Sequence, residues 1–220
     1  MAKVNGKSLK YVYNKIAEGF YNLRQQPITP EIKKLSEKWK AGKLLDVGCG
    51  IGNSTLPFAK KGFECFGLDF STKMIKLGKK FSEKHGVKIN FMAGNILSIP
   101  FEENKFDYVV SAAVLHHLDS GKKRMKALEE MKRVLKNKGK LFLTVWNKPK
   151  KEDSLHADNN FKISKDSYIH WTRKGVKYQR YYHFFLEEEL KELLQKVGFK
   201  RIKVFLDEGK KNICVLAVNS

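Results

Sequence analysis

Two stretches of the chain carry residue types and spacings that chemistry uses. The first is Asp46-Val47-Gly48-Cys49-Gly50-Ile51-Gly52-Asn53, three glycines at alternate positions behind a carboxylate. Glycine is needed where backbone turns sharply and a ligand must approach closely. The loop follows the apolar run Lys43–Val47 and opens a helix-like segment. That places it at the carboxyl edge of a parallel sheet, where such sheets bind ligands. A dinucleotide fingerprint would need Gly or Ala at position 53, where Asn53 stands. Asp46 beside the loop would repel phosphates and attract a cation. The second stretch is Arg180-Tyr181-Tyr182-His183-Phe184-Phe185. Four aromatics and an imidazole beside an arginine are either a core strand or, following a basic segment, part of a site.

The elements that must position these residues alternate along the chain. Positions 9–23 carry apolar residues at helical spacing, and Ile32, Leu35 and Trp39 mark a second short helix. Strands are expected at Lys43–Val47, Phe63–Leu68, Val87–Met92, Phe106–Ser111 and Lys140–Trp146. Helices are expected at 53–61, capped by Asn53 or Ser54, at 71–84, capped by Ser71, and from about Met125 to near Gly139. A last helix at 186–197 precedes strands at 199–206 and 212–218, an antiparallel pair turning at Gly209. Strand and helix in alternation imply a mostly parallel sheet with helices on both faces. The rhythm breaks at 148–183, a long, polar, basic segment with Trp171, Tyr178, Tyr181 and Tyr182 interspersed. One domain over 1–220 is expected, with a helical cap at 1–40 and the 148–183 segment as a substrate-side insertion.

Composition bounds the partners. Lys plus Arg total 44 against 23 Asp plus Glu, a formal net charge of +21 in 220 residues. A polyanion, most often nucleic acid, is the matching partner. With 42% hydrophobic residues the chain can bury a core and is no disordered basic tail. No apolar run approaches the roughly 20 residues of a spanning helix, and the first ten residues lack the apolar stretch of a secretion signal. Cys49, Cys65 and Cys214 form neither a CxxC pair nor a disulfide framework, so no metal is expected and a cytoplasmic chain is the natural reading.

The acid-x-GxGxG loop resembles motif I of the class I S-adenosylmethionine-dependent methyltransferases, whose fold is Rossmann-like: seven strands, mostly parallel, with a C-terminal antiparallel hairpin. The resemblance implies S-adenosylmethionine as cofactor, held by Asp46, Gly48, Gly50 and Gly52. It places Asp69, 23 residues after Asp46, on the ribose hydroxyls, and Asn95 and Ile96, after the third strand, beside adenine. Tyr13 and Tyr21 resemble the family's N-terminal aromatic pair that closes the pocket. Within the family, the basic insertion followed by Arg180–Phe185 resembles the tRNA wobble-uridine 5-carboxymethyl methyltransferases. Val12–Ala17 with Arg24, His116-His117 and Trp146 are similar to that branch too.

This resemblance implies methyl transfer to the carboxylate of 5-carboxymethyluridine in tRNA. A carboxylate is already ionised near neutral pH, so no general base is required, and proximity with orientation would carry much of the rate. Arg180 is then expected to hold the carboxylate, Tyr182 and His183 to orient it, and His116 or His117 to shape the pocket. Trp146 or Tyr181 would stack on the base. The branch also implies a small zinc-binding activator protein docked along the sheet edge. Competing readings are a quinone-type small-molecule methyltransferase, another RNA or protein methyltransferase, and a non-catalytic RNA-binding protein of this fold. The positive surface is expected around the carboxyl edge, from Arg24 through the insertion, making RNA affinity sensitive to salt and cofactor affinity nearly insensitive.

Overall fold

The structure is a computed structural model and describes residues 3–4, 7–147, 165–173 and 175–220. Positions 148–164 of the expected insertion lie outside the described residues. Two-residue strands β1 (Lys3–Val4) and β2 (Lys7–Ser8) lead into helix α1 (Leu9–Leu23), whose first turn is capped by the Ser8 hydroxyl accepting from Tyr11 N–H. Pro30 sits in the first turn of α2 (Pro30–Lys38), where its missing N–H costs nothing.

The alternation follows as expected: β3 (Lys43–Val47), α3 (Leu56–Lys60), β4 (Glu64–Asp69), α4 (Thr72–Lys84), β5 (Ile89–Ala93) and β6 (Phe106–Ala112). A 3-10 turn at Leu115–His117 leads to α5 (Gly121–Val134), β7 (Leu135–Trp146), β8 (Asp166–Arg173) and β9 (Val176–His183). The chain closes with α6 (Glu187–Val197), β10 (Lys200–Leu206) and β11 (Asn212–Val218). The seven-stranded sheet runs β10-β11-β7-β6-β3-β4-β5. Its strands are parallel from β7 through β5, and β11 is antiparallel to both its neighbours. This is the expected α/β architecture with its C-terminal antiparallel hairpin.

Alternation along the central strands splits the core in two. Leu45, Val47 and Val109 face α5 and α6 with Leu128, Met131 and Leu194. Leu44, Tyr108 and Val110 face the other way, against Ile32, Trp39 and Phe58. Period-two geometry sends successive side chains to opposite layers, which is why these strands are apolar throughout.

Three local expectations are corrected. The first helix after the glycine loop starts at Leu56, with Thr55 in the cap position, because Asn53 and Ser54 are drawn elsewhere. The Asn53 amide donates to the Gln26 carbonyl, and Ser54 Oγ accepts from Ile28 N–H, tying the loop to the segment before α2. Helix α5 ends at Val134 rather than near Gly139, since buried Leu135 pairs with Phe106 and starts the strand early. Within the segment expected to be long, polar and basic, β8 and β9 pair as antiparallel strands with Ile169 opposite Arg180 and Trp171 opposite Tyr178. A basic group made of Lys132, Lys136, Lys138, Lys140, Lys200 and Arg201 lies towards the amino edge of the sheet, away from the glycine loop.

Candidate active site

Gly48, Gly50 and Gly52 all have positive φ (77°, 56° and 84°). A Cβ on Gly48 would lie 2.3 Å from Val114 Cγ2, and one on Gly52 would lie 2.8 Å from the Phe91 ring. The amides of Gly48 and Cys49 both donate to the Leu68 carbonyl (2.7 and 3.0 Å), pinning the loop to β4. Below the loop, Asp46 is 1% exposed. Its Oδ2 accepts from Thr55 Oγ1 at 2.6 Å, while Oδ1 has no partner. Burial pushes its carboxyl up to about 7, against the lowering effect of the Thr55 bond, with a further push from the charge of Asp69. Asp69 ends β4 and accepts from Gly50 N–H (2.9 Å) and Ser71 N–H (2.8 Å). Burial raises it to about 6 despite those two bonds.

An unpartnered buried carboxylate oxygen beside a glycine cradle fits a cationic ligand and fits a phosphate poorly. Asn95 and Ile96 lie past the end of β5: Asn95 is exposed, its Oδ1 accepting from Leu97 N–H, and Ile96 packs partly into the core. Tyr21 packs edge-on against Phe81. Arg24 is exposed at the end of α1, and its charge reaches Tyr13 and Tyr182.

On the other side of the loop, α1, the 3-10 turn and the β8–β9 hairpin converge. His117 joins all three. Its Nδ1 faces the Tyr181 carbonyl (2.9 Å) and its Nε2 faces the Tyr13 hydroxyl (2.8 Å). Burial, then the charge of Arg180, hold this ring down to about 3, so it is neutral. The proton must sit on Nδ1, which donates to the carbonyl, and Tyr13 Oη–H donates to Nε2. His116 Nδ1 accepts from Trp146 N–H (3.1 Å); burial also lowers this ring, so Nε2 carries the proton, and it has no partner. The Tyr182 ring stacks on His116 (4.8 Å between centroids) and on Trp146 (4.7 Å).

Arg180 is 5% exposed, and its Nε has no partner. Its guanidinium lies 5.1 Å from the Trp171 ring centroid and 5.2 Å from that of Tyr182. The hydroxyls of Tyr13 and Tyr182 lie beside it, and among the described residues no carboxylate pairs with it. Such a charge is costly to bury and marks a place for an anion.

Strand alternation separates the expected acceptor residues. Arg180 and Tyr182 face the pocket; Tyr181 and His183 face away. The Tyr181 hydroxyl donates to Asp166, and the two ring nitrogens of His183 face Asp166 Oδ1 (2.8 Å) and Glu189 Oε1 (2.9 Å). Orienting the acceptor is therefore not the work of His183, which bridges β8 to α6, and stacking on the base is not the work of Tyr181. Trp146, half-buried at the end of β7, stacks against the Tyr182 ring on the pocket side.

Several roles were not legible in the sequence. Thr55 bonds Asp46. Asn14 Oδ1 accepts from Ser71 Oγ (2.6 Å) and joins α1 to the start of α4. Phe20 lies over Gly50 and against Trp171. Gly175, with φ 73° between two runs rich in β-branched and aromatic residues, was the turn signal that could have revealed the hairpin and hence Trp171.

The methyltransferase-domain family matches residues 45–143. A protein of Encephalitozoon cuniculi named provisionally as a methyltransferase is 32% identical over 176 residues, 80% of this chain and 76% of that one. A tRNA (carboxymethyluridine(34)-5-O)-methyltransferase of Schizosaccharomyces pombe is 27% identical over 208 residues, 85% of this chain and 86% of that one. A demethylmenaquinone methyltransferase of Staphylococcus haemolyticus is 32% identical over 177 residues, 74% and 70% of the two chains. Among solved structures, a SAM-dependent methyltransferase of Aquifex aeolicus superposes with a TM-score of 0.68 at 21% identity, covering 94% of this chain and 98% of that one. The chain complexed with the Haloferax volcanii Trm112 methyltransferase activator gives 0.69 at 16% identity, covering 96% and 97%. With its glycine loop, its two buried acids and this sheet order, the chain belongs to the class I S-adenosylmethionine-dependent methyltransferases.

Proposed function

We propose that this enzyme methylates a carboxylate, and that the carboxylate is that of 5-carboxymethyluridine at the wobble position of tRNA. S-adenosylmethionine supplies the methyl group. In this reading Asp46 Oδ1, Asp69 and the three glycines hold it, with Asn95, Ile96, Tyr13, Tyr21 and Arg24 around it. The observation that carries the acceptor assignment is Arg180, a buried guanidinium with an unpartnered Nε and, among the described residues, no carboxylate of its own. It would take the acceptor carboxylate, desolvate it and fix its direction. Tyr182 and Trp146 supply the stacking surface, and the His117 clasp holds Tyr13 and the hairpin in place. No group is required to remove a proton, consistent with both histidines being neutral and already committed on their accepting nitrogens.

The fission-yeast relative and the +21 charge support tRNA as the acceptor. The 32% identity to a demethylmenaquinone methyltransferase favours a second reading, a quinol acceptor. That reaction leaves the buried guanidinium without a role. Transfer of labelled methyl to total tRNA, followed by nucleoside mass spectrometry, separates the two. The expected product is a base-labile methyl ester on a wobble uridine; its absence refutes the assignment. The Haloferax structural neighbour, which is complexed with a methyltransferase activator, supports an activator protein as a partner.

The two acids predict a pH dependence of cofactor binding. Without ligand, Asp46 titrates at about 7 and Asp69 at about 6. A sulfonium and an ammonium favour the ionised acids, so binding must expel their protons below those values. With both acids required in the ionised form, affinity is expected to weaken about 100-fold from pH 7.5 to 5.5 and to level off above about pH 8. Calorimetry in two buffers of different ionisation enthalpy reads the proton release directly, and equal apparent enthalpies in both at pH 6 would contradict it. The sign for folding is opposite. Both pKa values are raised above their unfolded ones, so their contribution to stability is present below about pH 4 and is lost as pH rises through 6 and 7.

A further inference from the structure

The amino edge of the sheet carries a basic surface that the acceptor pocket does not use. Lys140 and Lys200 both lie in one row with Val218, on β7, β10 and the β11 strand between them. Residues directly opposite in antiparallel pairs point to the same face, so these two lysines project together, about 10 Å apart at two strand spacings. Lys138 and Arg201 flank them and are exposed. Lys132 reaches over Gly198, its Nζ 3.1 Å from where a Cβ would stand.

The backbone there is held in costly shapes. Lys138 and Arg201 have positive φ (61° and 49°), and β10 is irregular between Lys200 and Lys203. That conformation is unfavourable for non-glycine residues; at Lys138 it is held by the N–H donating to the Asn219 carbonyl (2.7 Å). The Asn219 amide in turn donates to the carbonyls of Lys132, Leu135 and Lys136, covering oxygens that would repel an anion. The neighbouring acids are engaged elsewhere: Asp107 by Lys136 and Glu130 by Arg133 and Lys126. Lys132, Lys138, Lys140, Lys200 and Arg201 have no ion pair among the described residues.

We propose that this edge is a second RNA-binding surface, which grips the phosphate backbone of a folded acceptor RNA away from the reacting nucleotide. The two regions are separated along β7 by the stretch from Lys140 to Trp146, about 20 Å of strand. A single splayed nucleotide cannot span that, whereas a folded RNA lying along the sheet end can. An anionic membrane is the weaker match. Among the described residues the exposed large apolar side chains, Leu23, Met92, Tyr168, Val176 and Leu186, lie off this edge, so none of them would insert into lipid there. The inference rests on the reading that the acceptor is RNA, but not on which nucleotide is methylated.

The test is a variant carrying Lys132→Gln, Lys138→Asn, Lys140→Gln, Lys200→Gln and Arg201→Asn, the two asparagines being chosen because Asn tolerates positive φ. Its charge-matched control carries Lys76, Lys79, Lys80, Lys84 and Lys88 changed to Gln. Binding of unmodified, transcribed tRNA and of a short anticodon stem-loop is measured by anisotropy over a salt series, and cofactor affinity by calorimetry checks folding. For the edge variant, tRNA affinity is expected to fall about tenfold or more at about 0.1 M salt. The slope of log K on log salt should shrink by about 2 to 4, at about 0.7–0.9 for each phosphate that the edge no longer neutralises. The stem-loop and the cofactor should bind as before. An unchanged slope, an equal loss in the control, or transfer of the effect to anionic vesicles with none on tRNA would each overturn the proposal. Edge-dependent tRNA binding without any methyl ester would sink the acceptor assignment and leave this surface standing. No RNA binding by the unaltered protein would sink both.

Discussion

Arg180→Ala will leave S-adenosylmethionine affinity within about threefold and lower turnover on the acceptor by about 10- to 150-fold. The magnitude follows from hydrogen bonds to charged groups, worth about 1.5–3 kcal/mol net, at about tenfold per 1.36 kcal/mol. The side chain makes its polar contacts with the hydroxyls of Tyr13 and Tyr182 and packs against Trp171 and Tyr182, so its loss leaves the glycine loop untouched. A structural role would produce a different pattern. Arg180→Met keeps length and apolar packing and removes a buried charge that no carboxylate among the described residues compensates, so it will melt no lower than the unaltered protein while losing the same activity. A fall in turnover of less than about threefold, or a melting point that drops in step with activity, would remove Arg180 from the acceptor site.

Gly48→Ala will cost both the cofactor and the fold. The new methyl group would stand 2.3 Å from Val114 Cγ2 on a residue with φ +77°. Positive φ in an L-residue costs about 1–2 kcal/mol, and overpacking a tight site adds about 1–3 kcal/mol. The loop can relieve the clash only by lifting from β4, which breaks the paired Gly48 and Cys49 bonds to the Leu68 carbonyl. Cofactor affinity is expected to fall by more than about 100-fold, with a melting point lowered by several degrees. Gly62→Ala is the matched control. Its φ is +81°, but nothing lies within 4 Å of the added carbon, so it will show the backbone cost alone and bind cofactor normally. Cofactor affinity in Gly48→Ala within about threefold of normal would contradict the cradle.

Much of the cofactor half was legible in the sequence because it is encoded locally. β3 runs over Lys43–Val47 as the apolar run indicated, and Ser71 caps α4 through its bond to Met74 N–H. Three alternate glycines behind an acid point to a left-handed loop, and all three do adopt positive φ. The misreadings fall where local preference met a distant partner. Asn53 and Ser54 are good capping residues, but Gln26 and Ile28 claim their side chains.

The acceptor half could not be read the same way. The run from Arg180 to Phe185 names six candidates, and a strand sends alternate ones to opposite sides. Only the pairing of β9 with β8 decides that Arg180 and Tyr182 meet Trp171, His116 and Trp146, while Tyr181 and His183 turn to Asp166 and Glu189. The clasp at His117 depends on Tyr13, 104 positions away, and on the Tyr181 carbonyl, 64 positions away. What the sequence determined by itself was the order of elements, the cation-seeking loop and the chemical inventory of the pocket, because periodicity and glycine geometry act over a few residues. Which of those groups face one another, which nitrogen of His116 and of His117 carries the proton, and which guanidinium is left without a counter-charge among the described residues were decided only by the tertiary structure. Burial and pairing are properties of segments brought together from opposite ends of the chain.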